Sequence, residues 1–253
     1  MPINIQEPVI EINNLVKKFG QFTALNGVSL NIYPGEVHAL LGDNGAGKST
    51  LMKSITGVYS LDEGNIRFED QNITSLAPGD RRARGIEMIY QDLALTPQQD
   101  IANNIFLGRE PTKKLWGFLP GFVDKNKIDA EALSMIDRLG AQIPSIHVPV
   151  GRLSGGQQQT VAIARALTFD PKLVIMDEPT AALAVREVEG VLKLIDQMQN
   201  SGIAVILISH RLNDIFAACQ RIVVLRRGSV IADLQQEATD MNEVVSYIVG
   251  AHG

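Results

Sequence analysis

The chain has 253 residues, of which 45% are hydrophobic and 20% charged, a composition typical of a globular protein. The formal net charge of −5 argues against nucleic acid as a partner, because surfaces that bind phosphate backbones carry excess basic residues. The single cysteine, Cys219, excludes an intrachain disulfide, and we expect it in the hydrophobic core. No apolar run is long enough to cross a membrane, and the N-terminal residues lack the pattern of a signal peptide.

Strand patterns dominate the first 91 residues. Most are alternating apolar and polar residues, and one is a short apolar run that leads into the Gly-rich stretch "GDNGAGKST". The stretch opens a predicted helix that ends at Gly57. Strands are predicted at 9–12, 27–32, 38–41 and 85–90, and a strand and turn at 65–73.

The pattern changes between about residues 92 and 170, where strand patterns are absent and apolar residues recur at helical spacing, as in 129–140. We interpret this part as a helical insertion. Apolar runs typical of strands buried on both faces then return, and residues 226–232 predict a hairpin. These later strands are predicted at 173–176, 203–208 and 222–225.

The stretch from Gly42 to Ser49 matches the phosphate-binding pattern G-x-x-x-x-G-K-[ST] between a predicted strand and helix. Backbone N–H groups of such a loop and the positive end of the helix dipole bind the phosphates of a nucleoside triphosphate. We expect Lys48 to reach the β- and γ-phosphates and the Ser49 hydroxyl to bind Mg²⁺. The predicted phosphate-binding residues are Gly42, Asp43, Asn44, Gly45, Ala46, Gly47, Lys48, Ser49 and Thr50.

Polar residues follow three other predicted strands. Asp177 and Glu178 end "LVIMDE", and we expect Asp177 to hold Mg²⁺ while Glu178 activates a water molecule. His210 follows "VILIS" and is predicted at the same sheet edge, where it contacts the γ-phosphate or the water. Gln91 follows "EMIY" and is a candidate Mg²⁺ ligand or sensor of the γ-phosphate.

The stretch "LSGGQ" leaves two interpretations open. Ser154 and Gln157 have the spacing of a capping box at the start of a helix, which needs no ligand. Gly155 and Gly156, however, are poor residues for a first helical turn, and bare backbone there favours close approach of an anion.

Together these motifs resemble those of ABC-transporter ATPase domains, in the same order and over nearly the whole chain. Longer stretches, among them "LSGGQQQTVAIARAL", resemble the carbohydrate-importer branch of the ribose, xylose and fructose type. The resemblance implies an α/β fold: a P-loop NTPase core with a mostly parallel sheet, an N-terminal antiparallel β-subdomain and an inserted helical subdomain. We predict one domain, 1–253, with its core at 8–91 and 171–253 and the helical subdomain at about 92–170.

The resemblance also implies roles for single residues. Glu178 matches the catalytic carboxylate, His210 the switch histidine and Gln91 the residue that links Mg²⁺ to a transmembrane partner. Phe19 matches an aromatic residue that stacks on adenine, although a core position is the alternative for this side chain. The predicted catalytic residues are Glu178, His210, Lys48 and Gln91, and the predicted metal ligands are Ser49, Gln91 and Asp177.

The partners implied by the resemblance are a second copy of the chain and a transmembrane permease. ATPases of this family close head to tail, with each ATP between one phosphate loop and the Ser154–Gln157 segment of the other subunit. A solute-binding protein is an indirect partner, and the chain is expected in the cytoplasm, on the inner face of the membrane. The expected function is ATP-driven import of a monosaccharide, with an exporter ATPase, a soluble non-transport ABC ATPase or a P-loop kinase as alternatives.

Three features depart from the family or remain open. Ala184 stands where the family commonly has an aspartate, which weakens the usual role of this loop in coupling the two ATP sites. Many sugar-type members carry two ATPase halves, whereas this sequence has one, so we expect a homodimer with two sites. In the apolar segment 113–126, Trp116, Phe118 and Phe122 are either a hydrophobic staple of the helical subdomain or lie near the permease.

Overall fold

The computed structural model describes residues 7–115, 119–181 and 183–251, within which strands and helices alternate through most of the chain. Strands occupy Ile10–Phe19 (β1), Phe22–Ile32 (β2), Val37–Leu41 (β3), Glu63–Phe68 (β4), Gln71–Asn72 (β5), Ile86–Ile89 (β6), Thr112–Leu115 (β7), Leu119–Val123 (β8), Leu173–Asp177 (β9), Ala204–Ile208 (β10), Arg221–Arg226 (β11) and Ser229–Gln235 (β12). Helices occupy Lys48–Ile55 (α1), Pro78–Ala83 (α2), Ile101–Phe106 (α3), Lys125–Arg138 (α4), Gly155–Leu167 (α5), Val185–Asn200 (α6), Leu212–Ala218 (α7) and Met241–Val249 (α8).

A six-stranded sheet in the order β12-β11-β3-β10-β9-β6 carries the functional loops. Its strands are parallel except for the edge strand β12, which pairs antiparallel with β11. In β9, Leu173 and Ile175 pack into one hydrophobic core and Val174 and Met176 into a second core on the opposite face. Burial on both faces explains the continuous apolar runs, and the mostly parallel α/β core is confirmed.

A second sheet of four antiparallel strands, in the order β2-β1-β4-β5, covers one side of the phosphate-loop helix. Its side chains Ile12, Leu25 and Phe68 share a core with Leu51 and Met52 of α1 and with the main sheet. The predicted N-terminal antiparallel subdomain is therefore present.

A third core lies among α3, α4 and α5. Phe106, Ile136 and Val161, one from each helix, are buried in it. This cluster accounts for the helical periodicity of 129–140, although α4 begins at Lys125, before the predicted start. Cys219 is buried in the second core, as expected for a small apolar side chain, and burial raises the pKa of its thiol.

The expectation that the 92–170 segment lacks strands is wrong. The strands β7 and β8 form an antiparallel hairpin in which Thr112 pairs with Val123. Charged residues in the first strand and "PG" in the second interrupt the alternating pattern, so this short pairing leaves little signal in the sequence. Phe122 in this hairpin is 80% exposed, whereas Trp116 and Phe118 lie outside the described residues.

Among the residues that the structure describes, none of the helices combines the length and apolar character needed to cross a bilayer.

Candidate functional site

The phosphate loop joins the end of β3 to the start of α1, and two of its glycines are required by close contacts. Gly42 has φ 144°, and a Cβ there would lie 2.2 Å from the carbonyl oxygen of Leu225. Gly47 has φ 108°, and a Cβ there would lie 2.7 Å from the carbonyl oxygen of Ala24. Both positions combine a left-handed backbone with a neighbouring carbonyl, so glycine lets the loop fold tightly between two strands.

The N terminus of α1 is prepared for an anion. Gly47 stands at the cap position, and no side chain caps the first turn of the helix. The N–H groups of the first turn of α1 therefore have no side-chain acceptor, and they face the loop together with the positive end of the helix dipole. The Lys48 ammonium donates to the carbonyl oxygens of Gly42 and Asp43, which holds it across the mouth of the loop.

Two acidic residues and a histidine meet at the carboxyl ends of β9 and β10. Asp177 is the last residue of β9, and Glu178 follows in a left-handed conformation at φ 53°. The Glu178 amide donates to the carbonyl oxygen of Ile208 at 3.0 Å, which ties this strained residue to β10. The His210 Nε2 atom lies 2.8 Å from the Glu178 Oε1 atom. The structure thus brings the predicted base and histidine within ion-pair distance of each other.

In this site, burial and the neighbouring charges shift the pKa values of Asp177 and Lys48 in opposite directions. Burial raises the pKa of the Asp177 carboxyl, and the positive charges of Lys48, His210 and Lys53 act in the opposite direction. Burial likewise lowers the pKa of the Lys48 ammonium, which Glu178, Asp177 and Asp43 partly offset. A bound polyphosphate stabilises the charged form of Lys48, whereas a cation stabilises the ionised form of Asp177.

A cavity of about 310 Å³ unites these groups. The phosphate loop from Asp43 to Thr50 forms one side of the cavity, and Gln91 after β6 reaches it from another strand end. The structure therefore brings together residues that are far apart in the sequence but were predicted to share one site. The remaining predicted residues on its wall are Asp177, Glu178 and His210.

The predicted adenine-stacking residue, Phe19, does not line this cavity. Its ring packs edge-on against Tyr59, with the ring centroids 5.3 Å apart, and is 43% exposed. Phe22, its partner across the β1–β2 turn, lines the cavity and is 61% exposed. Sequence reasoning missed Phe22, although its position next to a two-residue turn is a usable signal.

The segment Ser154–Gln157 lies apart from this cavity, at the start of α5. Ser154 and Gln157 form the predicted capping box: the Gln157 amide donates to the Ser154 hydroxyl, and the Ser154 amide donates to Gln157 Oε1. An anion is also present, but it belongs to the same chain. The carboxylate of Glu187, which the sequence did not single out, accepts hydrogen bonds from the Ser154 hydroxyl and the Gly156 amide.

The comparisons with known proteins agree on one family. Residues 25–181 match the model of the ABC transporter family. The chain is 45% identical over 236 residues to the xylose/arabinose import ATP-binding protein of Sulfolobus acidocaldarius, covering 93% of this chain and 92% of that protein. It is 42% identical to the fructose import ATP-binding protein of Rhizobium meliloti, covering 97% and 95%. A ribose import ATP-binding protein of Bacillus licheniformis is also 42% identical, but the match spans 48% of its length and 95% of this chain.

Solved structures lead to the same family. The fold resembles that of an ATP-binding cassette of an ABC transporter with a TM-score of 0.83 and 28% identity, covering 98% of this chain and 100% of that one. It also resembles a dimeric cassette in a post-hydrolysis state bound to ADP and Pi, with a TM-score of 0.76 and 26% identity, covering 91% and 100%. The chain therefore belongs to the ABC transporter family of ATPases.

Proposed function

We propose that this chain hydrolyses ATP and thereby energises the import of a monosaccharide through a transmembrane permease. One observation carries the hydrolytic part: Glu178 and His210 lie 2.8 Å apart on the wall of the cavity that the phosphate loop lines. A carboxylate beside a phosphate site suits water as the acceptor of the phosphoryl group.

Nucleotide binding is assigned to the phosphate loop. The N–H groups of Gly45, Gly47 and Lys48 face the phosphates at the uncapped start of α1, and the Lys48 ammonium moves from the loop carbonyls to the phosphate oxygens. Phe22 joins Phe19 as a candidate for contact with the adenine, because Phe22 is the aromatic side chain that lines the cavity.

Mg²⁺ enters with ATP as part of the substrate. The Ser49 hydroxyl, the Gln91 amide oxygen and the Asp177 carboxylate line the same cavity, and oxygen donors of these kinds fit the ion. Burial raises the pKa of Asp177 and so disfavours its ionised form, and a bound cation would act in the opposite direction and favour the ionised carboxylate. Bound Mg²⁺ offsets negative charge on the β- and γ-phosphates.

In the proposed reaction, the oxygen of a water molecule attacks the γ-phosphorus while Glu178 accepts a proton from that water. The bond between the γ-phosphorus and the oxygen that bridges it to the β-phosphate breaks, which leaves ADP and phosphate. His210 donates to Glu178 or to a γ-phosphate oxygen and orients both. The left-handed backbone at Glu178 and the hydrogen bond from its backbone N–H to the carbonyl oxygen of Ile208 keep the carboxylate at the strand end.

The working unit is proposed to be a head-to-tail dimer in which Ser154–Gln157 of one subunit contacts the ATP of the other. The resemblance to a dimeric cassette supports this assembly. Residues 92–170 then act as a helical subdomain that moves the start of α5 relative to the phosphate loop, and the separate core of α3, α4 and α5 supports these boundaries.

Import of a monosaccharide is inferred from the relatives, whose names specify import of xylose or arabinose, fructose and ribose. A permease in the membrane and a solute-binding protein complete the proposed transporter. The chain docks on the inner face of the membrane, where cytoplasmic ATP reaches its sites.

The reaction is tested by the substitution Glu178→Gln, which keeps the shape of the side chain but removes the base. We expect turnover to fall by about 10²–10⁴-fold while ATP binding persists, so that ATP accumulates in a stable dimer. Phosphate release and sedimentation velocity measure the two effects. An active Glu178→Gln variant, or one that remains monomeric with ATP, would refute the scheme.

The direction and substrate of transport need a separate measurement. Cells that lack this chain are compared with cells that carry the wild type or Glu178→Gln, and uptake of labelled xylose, ribose and fructose is followed. ATP-dependent uptake of one of these sugars only with the wild type supports the proposal, and no change for any monosaccharide contradicts it.

A further inference from the structure

The start of α5 already holds an anion, and the anion comes from the first turn of α6. The Glu187 Oε1 atom accepts hydrogen bonds from the Ser154 hydroxyl and the Gly156 amide, each at 3.0 Å. Glu187 lies 31 residues after Gly156, so tertiary packing brings the carboxylate to this helix end. The positive end of the α5 dipole adds to its binding.

The second oxygen of the same carboxylate serves the other helix. The Ala184 amide donates to Glu187 Oε2 at 3.1 Å, and Ala184 has no side-chain oxygen with which to cap α6. One carboxylate thus bridges the first turns of α5 and α6. Hydrogen bonds from the amides of Ala184 and Gly156 and from the Ser154 hydroxyl hold the pKa of Glu187 below its usual range, which keeps it ionised.

Gly156 makes room for this carboxylate. A Cβ at Gly156 would lie 2.8 Å from Glu187 Cγ and 2.9 Å from Glu187 Oε1. In the single chain, the space that Gly156 leaves in the first turn of α5 is therefore occupied by the Glu187 side chain. The anion site that the Ser154–Gln157 motif predicts is complete and occupied before any second subunit arrives.

We propose that Glu187 stands in for the phosphate of the partner subunit's ATP, and that dimer closure exchanges the carboxylate for that phosphate. The proposal rests on the head-to-tail dimer proposed above. Two anions cannot share the Ser154 hydroxyl and the Gly156 amide without strong repulsion, so the carboxylate must leave as the phosphate enters. Glu187 thereby sets the ATP concentration at which two chains close.

The displaced carboxylate has a place to go. A cavity of about 580 Å³ borders Glu187, and Arg186 and Lys193 lie on its wall. A Cβ at Gly190, one turn further along α6, would meet nothing within 4 Å, so this side of the helix is open. Rotation about the side-chain bonds moves the charge from the start of α5 toward these two cations.

The first experiment uses Glu178→Gln as the background, because hydrolysis then does not deplete the dimer. Adding Glu187→Gln replaces the charge with a neutral side chain that still accepts from the Ala184 amide. We expect the ATP concentration for half-maximal dimer formation to fall by about tenfold, as expected when a charged competitor becomes a neutral one. Sedimentation velocity over a range of ATP concentrations measures it.

The matched control is Glu189→Gln, which removes the same charge from an exposed position two residues along α6. When Glu189→Gln is added to Glu178→Gln, the ATP concentration for half-maximal dimer formation should equal that of Glu178→Gln alone. If Glu187→Gln leaves the requirement unchanged or raises it, Glu187 only caps the helices and the exchange is wrong.

The second experiment needs no dimer and separates this proposal from the proposed function. The Gly156 amide resonance is followed in the nucleotide-free single chain as inorganic phosphate is added. Phosphate should shift this resonance at about tenfold lower concentration in Glu187→Gln than in the wild type or Glu189→Gln. An equal response in all three overturns the role of Glu187, whereas failure of Glu178→Gln to dimerise with ATP overturns the proposed dimer.

Discussion

At Asp177, the last residue of β9, burial raises the pKa of the carboxyl despite the nearby Lys48 and His210. The folded chain therefore holds this proton more tightly than the unfolded chain. Protonation of Asp177 stabilises the folded chain fully at pH values below the pKa that this carboxyl has in the unfolded chain. This stabilisation is lost as pH rises through the higher pKa of the folded chain. Ionised Asp177 is thus a destabilising group near neutral pH when no nucleotide is bound.

We predict that Asp177→Asn unfolds at a higher temperature than the wild type at pH 8, because the amide removes a partly buried charge. The difference should shrink as pH falls through the raised pKa of Asp177, because the carboxyl then takes up its proton. Calorimetry of the nucleotide-free protein measures both midpoints, with Asp43→Asn as a control that removes an exposed charge beside the same cavity. Equal midpoints of wild type and Asp177→Asn at pH 8 would contradict the prediction.

Among the elements, α5 extends from the Ser154–Gln157 motif to the segment that follows Gln91. Its first turn carries the Ser154–Gln157 motif, and its last turn carries Arg165, whose guanidinium donates to the carbonyl oxygens of Leu93 and Ala94 at 2.7 Å each. Both of these residues have left-handed backbones, at φ 57° and 46°, and they follow Gln91 closely. Arg165 thus holds a strained segment that positions Gln91 at the cavity.

We predict that Arg165→Lys lowers kcat by about tenfold with little change in ATP affinity, because a single ammonium does not replace a planar group that donates to two carbonyls. Steady-state kinetics and equilibrium ATP binding separate the two effects. Arg138→Lys, at an exposed position in the last turn of α4, is the control and should behave as the wild type. A weakened ATP affinity with unchanged kcat would argue against a positioning role.

For the whole molecule, the phosphate loop and the Ser154–Gln157 motif line two different cavities of one chain. In the proposed dimer, each ATP site takes its phosphate loop from one subunit and its motif from the other. Two variants defective in different halves of the site are therefore expected to complement each other.

We predict that Lys48→Ala and Ser154→Arg are each inactive alone, but that mixing them restores a fraction of wild-type phosphate release. The mixed dimer has one site built from an intact phosphate loop and an intact motif, whereas the first substitution removes phosphate binding and the second fills the anion site with a cation. The double variant Lys48→Ala, Ser154→Arg mixed with either single variant is the control. If mixing restores no activity, the two halves do not meet in a dimer.

Much of the nucleotide site was predictable from the sequence because its motifs are local. The glycines, Lys48 and Ser49 lie in one loop and the first turn of the helix that follows it. Asp177 ends β9, Glu178 comes directly after it, and His210 lies two residues after β10. Parallel strands place their carboxyl ends at one edge of the sheet, so the strand pattern alone indicates that these residues converge. Strand order and exact distances were not contained in that pattern.

The tertiary structure decided the contacts that join distant segments. It brought Phe22 rather than Phe19 to the cavity wall, and it placed Glu187 at the start of α5. Residue type and spacing determined which backbone segments bind anions, since helix ends and glycine turns are local features. Which anion is present in the single chain depends on the packing of α6 against α5, because a side chain reaches a helix end 31 residues away only when the fold brings the two together.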